Sequence, residues 1–215
     1  KDMSAMFYGV KQLTSGVANW NVSNVTSMSH TFNGAEAFNE DLSKWDTSKV
    51  MSLNNTFRDA KAFNGNITTW DVSNVKILTS LFYGAENFNQ PIGNWNVSKV
   101  TNMNHTFDGA KKFNQDISKW DVSNVEKMAS MFRNAESFNK PLEAWGNKVS
   151  KVQEMQYMFS GAQKFNQPLK SWKTSSVTNM ESMFSNSAFN CDISSWDVSK
   201  VTNMKSMFYH SPFNQ

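Results

Sequence analysis

Tryptophan returns at a nearly fixed interval along this chain, and that interval leaves few folds open. Trp20, Trp45, Trp70, Trp95, Trp120, Trp145, Trp172 and Trp196 are separated by 25, 25, 25, 25, 25, 27 and 24 residues. Other positions keep step. Phe-Asn recurs at Phe38-Asn39, Phe63-Asn64, Phe88-Asn89, Phe113-Asn114, Phe138-Asn139, Phe165-Asn166, Phe189-Asn190 and Phe213-Asn214, and an earlier Phe column runs from Phe7 and Phe32 through Phe57 to Phe208. Self-similarity at such a period marks a repeat architecture. Each unit is too small to bury its own apolar face and must lay it against the next.

Each unit divides into two parts. In the copy around Trp45, Val50, Leu53, Thr56, Phe57 and Ala60 are spaced as one buried face of a helix. Ser48 fits its N-cap, and Ser123 with Glu126 and Ser150 with Gln153 complete capping boxes. Gly34, Asp59, Gly84, Gly109, Asn134, Gly161 and Asn186 stand where such a helix would stop. At about ten residues it would not be stable alone. The second part, Leu42-x-x-Trp45-x-Thr47 or Ile67-x-x-Trp70-x-Val72, alternates as a short strand does. The expected fold is therefore an α/β solenoid, leucine-rich-repeat-like, of about eight coils. Each coil would hold one short parallel strand and one short helix, with strands about 4.8 Å apart and a body roughly 40 Å long. Residues 1–215 read as a single repeat domain and as a segment of a longer array, with open ends suited to end-to-end or dimeric association. Two extra residues between Trp145 and Val152, and one fewer between Phe184 and Phe189 and between Phe208 and Phe213, are expected where coils turn through solvent.

The ladders read first as structure. The Trp, Phe and Met columns are expected to be core, since identical apolar residues stack on those of the neighbouring coil. Trp95→Ala is then expected to cost ~3–5 kcal/mol. Asn39, Asn64, Asn89, Asn114, Asn139, Asn166 and Asn190 are expected as a ladder of buried amides bonding the backbone of their own turn and of the next coil.

Two columns beside the tryptophans form a candidate binding strip. The residue after Trp is Asn21, Asp46, Asp71, Asn96, Asp121 or Asp197 in six copies. Either each side chain bonds the turn that follows, or the column attracts a cation or a basic ligand; Gly146 and Lys173 interrupt it. The residue before Trp varies, with Lys44, Thr69, Asn94 and Lys119 among its members. The strip is Lys44, Asp46, Thr69, Asp71, Asn94, Asn96, Lys119 and Asp121.

Composition excludes several classes. With 39% hydrophobic and 13% aromatic residues the chain is not disordered. Its 21 basic and 18 acidic side chains are interspersed, with no basic run to track phosphates, so nucleic acid is not an expected partner. No transmembrane segment is expected in this stretch. His30 and His105 fall three coils apart in one column, too far for one metal, and Cys191 reads as an exposed, idle thiol. No unlike residues converge as catalysis requires, so neither an enzyme nor a cofactor is expected. Ice binding lacks a regular Thr column, since the Thr26 position becomes Met51, Lys76 and Glu126.

The W-D-V-S-N-V-T-N-M-x-x-M-F-x-x-A-x-x-F-N-Q-D-I-S run resembles the 25–26-residue repeat of BspA-family bacterial surface proteins, the mycoplasma- and listeria-type repeat found in lipoproteins and wall-attached proteins. The resemblance covers nearly the whole chain and departs around Trp145 and Trp172. It implies a cell-surface or secreted location and a non-catalytic module that binds a host or self surface protein or glycan. The alternative is a passive spacer holding an adhesive domain away from the cell.

Overall fold

The computed structural model describes all residues, 1–215. Each unit forms one coil, and coils stack directly on one another. A single residue per coil makes a parallel bridge to its neighbour, in two rows: Asp2, Ser27 and Ser52, then Ile77, Asn102, Lys127, Glu154, Asn179 and Asn203. No helix is long and apolar enough to cross a membrane.

The expected α/β solenoid of strand-plus-helix coils is not what forms. No coil contains a strand longer than one bridge, and the one helical stretch is a seven-residue 3₁₀ segment, Glu143–Val149, kinked at Gly146. The reason lies in where the N–H groups go. In the stretch read as a helix, Thr56, Arg58 and Ala60 donate back to Leu53, Asn55 and Phe57 of their own coil. The alternate residues Asn55, Phe57 and Asp59 donate to the carbonyls of Thr79, Leu81 and Tyr83 in the next coil. An α-helix spends every N–H inside its own segment and keeps every φ negative. Here Asn55 and Asp59 sit at φ 55° and 54°, and the same two columns are left-handed in every coil. Glycine, Asn, Asp and His, which tolerate this conformation best, fill the second column, while the first holds mainly Ser and His and also takes Ala5 and Tyr157. Val50, Leu53, Phe57 and Ala60 are nevertheless buried, so the three-residue spacing identified the inward face of a string of tight turns. The Leu42–Thr47 and Ile67–Val72 stretches are turns as well, closed by Trp45 N–H to Leu42 and Trp70 N–H to Ile67.

One continuous core runs the length of the stack. The first Phe column stacks from Phe7 to Phe208 with ring centroids 5.5–5.9 Å apart. Within each coil that Phe lies 3.7–4.1 Å from the Phe of the Phe-Asn pair. Trp45 to Trp196 are buried, and each indole Nε1–H donates to the preceding coil at 2.9–3.3 Å, for instance Trp120 to Ile92 and Trp145 to Ile117. Trp20 is 40% exposed.

Length changes are absorbed by specific local devices rather than by solvent-exposed slack. The two added residues become the 3₁₀ helix, with Gly146 at φ 25° and both Trp145 and Val149 buried. In the coil shortened after Phe184, the Ser187 hydroxyl donates to the Phe184 carbonyl and accepts the Phe189 N–H. Ser211 stands in the same relation to Phe208 and Phe213.

Candidate functional site

Because the backbone satisfies itself between coils, the side chains on the outer faces are available for other work. The Trp-flanking strip is exposed throughout. Its acidic and amide members serve their own coils. Asn21, Asp46, Asp71, Asn96, Asp121 and Asp197 each accept the N–H of the serine two residues on, at 2.9–3.2 Å. Bonding to Ser48, Ser123 and Ser199 holds the carboxyls of Asp46, Asp121 and Asp197 below the usual range. Those serines therefore sit in Asx turns and cap no helix. Lys44 reaches Asn19 at 3.1 Å and Thr69 bonds the Ser43 carbonyl at 2.7 Å. Asn94 and Lys119 meet in a shallow hollow of about 230 Å³ with Gln115 and Asp116.

The Asn ladder is continuous. Each Oδ1 from Asn39 to Asn190 accepts the N–H of the next Phe-Asn asparagine at 2.8–3.0 Å. Its amides are half-buried or exposed rather than buried. Gln90 and Gln115 reinforce it by donating to the Asn64 and Asn89 carbonyls. Cys191 takes the same place; its thiol is half-buried, donates to Asn166 Oδ1, and is pushed up by burial.

The largest concavity lies elsewhere, on the glycine-turn face. Gly84, Gly109, Asn134, Gly161 and Asn186 supply its floor from five successive coils, so the groove runs along the stack. Its volume is about 550 Å³. Tyr83, Asp108, Arg133 and Ser160 line one side, and Glu86, Lys111, Glu136 and Gln163 the other. Arg58 lies 4.5 Å from the Tyr83 ring centroid and fixes that ring at one end. Asp108 is buried and accepts a hydrogen bond from His105 Nδ1 at 2.9 Å. A smaller hollow of about 340 Å³ continues the same face around Tyr8, Lys11, Glu36, Asp59 and Lys61.

One column of this face alternates in sign: Lys11, Glu36, Lys61, Glu86, Lys111, Glu136. Lys11 and Lys61 both pair with Glu36, at 3.0 and 2.9 Å, and Lys111 pairs with Glu86 at 3.1 Å. These pairs hold the Glu36 carboxyl low and the Lys61 ammonium high. Like charges stacked at coil spacing would repel, and alternation removes that cost. Sequence reasoning centred on tryptophan passed over this face, although the alternating column was a signal that would have found it.

Comparison with known proteins gives one family. A family model described as "Mycoplasma protein of unknown function, DUF285" matches residues 1–79, 51–150 and 146–215, which together span the chain. No match was found among curated proteins or among solved structures.

Proposed function

Since the chain belongs to this DUF285 family of Mycoplasma repeat proteins, we infer that it is a non-catalytic binding module displayed on the cell surface, with the glycine-turn groove as its ligand face. The observation that carries this reading is the groove itself. Side chains from five coils line about 550 Å³ of open space, a volume in the usual range for ligand sites, roughly 300–1,000 Å³. The frame beneath spends its backbone groups on its own stacking, so the lining can vary without harm to the core.

The competing reading is a spacer. It is favoured by the neutralising Lys–Glu pairs of the same face, which leave a weak external field. Adhesion of protein-coated beads to host epithelial cells separates the two. Exchanging Glu86, Lys111 and Arg133 together for alanine is expected to abolish adhesion with the fold retained. Exchanging Lys44, Asn94 and Lys119 tests the Trp-flanking strip in parallel. Adhesion lost only with the second triple moves the site to that strip, and no adhesion by the unaltered chain leaves the spacer.

A further inference from the structure

We propose that the groove over Gly84, Gly109, Asn134, Gly161 and Asn186 binds an extended, uncharged glycan chain laid along the stack, one sugar ring per coil. This rests on the reading of the groove as the ligand face and names the chemistry that it takes.

Direction comes first. The lining is drawn from successive coils and not from one, so a ligand that fills the groove crosses coils in order. Coils joined by parallel bridges lie about 4.8 Å apart, close to the advance of one pyranose ring in an extended β-linked chain. An extended peptide advances by about 3.3 Å per residue and meets this lattice out of step.

Charge comes second. Along one wall Glu86, Lys111 and Glu136 alternate in sign, with Lys111 paired to Glu86, while the lining also holds Asp108, which is paired with His105, and Arg133, which lies over the Tyr157 ring. Opposite signs neighbour one another along the stack, so no stripe of one sign exists to attract a polyanion or a polycation. A neutral ligand pays the least to enter such a field.

The donors and acceptors come third. Of thirteen lining residues, one is hydrophobic. Small-molecule sites are mostly apolar, and protein interfaces centre on buried apolar anchors; neither pattern is present. Carboxylates, a guanidinium and the amides of Asn134, Gln163 and Asn186 are instead planar groups with paired donors or acceptors. Such groups bridge neighbouring hydroxyls of a sugar ring.

The test is calorimetric titration of the whole chain with β-1,4-linked cello- and chito-oligosaccharides of two to six rings. Heparin fragments and an unstructured peptide serve as comparisons. Affinity is expected to rise about tenfold or more from two rings to five, roughly one hydrogen bond's worth per added ring, and to level off there. Arg133→Ala and Glu136→Gln are each expected to weaken five-ring binding by about fivefold or more, with Tm unchanged. Length-independent or absent oligosaccharide binding overturns the proposal. If the peptide or heparin binds instead and Arg133→Ala weakens it, the groove is the site and only the ligand class fails. If neither variant alters any binding, the groove reading fails with it.

Discussion

Tryptophan holds its column because it brings a large ring and one N–H donor to the same place. The ring fills the core while Nε1–H closes onto the coil before, as Trp120 does onto Ile92 at 3.1 Å. Trp120→Ala is expected to cost ~3–5 kcal/mol. Trp120→Phe keeps an aromatic ring and loses the bond, so it should cost clearly less and still be measurable by urea unfolding. A Phe variant as stable as the unaltered chain would mean the bond contributes nothing. The aspartates after tryptophan set a pH dependence. Asp46, Asp121 and Asp197 have lowered folded-state pKa values through their serine partners. Their stabilisation is therefore complete above the unfolded carboxyl value of about 3.9 and is lost as pH falls through the folded value. Thermal unfolding from pH 7 to 3 should show Tm falling below about pH 4. The triple variant Asp46→Asn, Asp121→Asn, Asp197→Asn should fall less steeply, because Asn21 and Asn96 already hold the same turn without a charge. Parallel curves would place the acid sensitivity in other carboxylates.

Within a coil, spacing in the sequence identified which residues point inward and could not identify the partner of each N–H. Val50, Leu53, Phe57 and Ala60 fit a helix and fit a string of three-residue turns equally well. The deciding residues are His30, Asn55, Ser80, His105 and Ser130, in a column four residues before the glycine column that is left-handed in every coil, Ala5 and Tyr157 included. The glycine column has its own rule. A Cβ at Gly84 would run into Asp59 Oδ1, because the Asp59 side chain folds over the next coil; Asn134 lies over Gly161 in the same way. Gly84→Ala should therefore be destabilising, both from this clash and from a backbone φ of +66°. Asp59→Gly in the same molecule should recover the part due to the clash. A double-mutant cycle with no coupling between the two would show that the side chains do not meet.

Across the whole molecule every coil is supported by its neighbours alone, which is why the repeat period was legible and the groove was not. The period is written in residues that every coil shares, whereas the groove is lined by positions that change from coil to coil, such as Tyr83, Asp108, Arg133 and Ser160. Its floor residues carry the same signature as helix ends, and the two walls come together only through the coil geometry. The central claim is that alternate amides of each coil bond the following coil. Scalar couplings across hydrogen bonds, measured by solution NMR, report each donor–acceptor pair directly. The amides of Asn55, Phe57 and Asp59 are predicted to couple to the carbonyl carbons of Thr79, Leu81 and Tyr83. Couplings from those amides to carbonyls four residues earlier in their own segment would mean that a helix forms there, and would contradict the account.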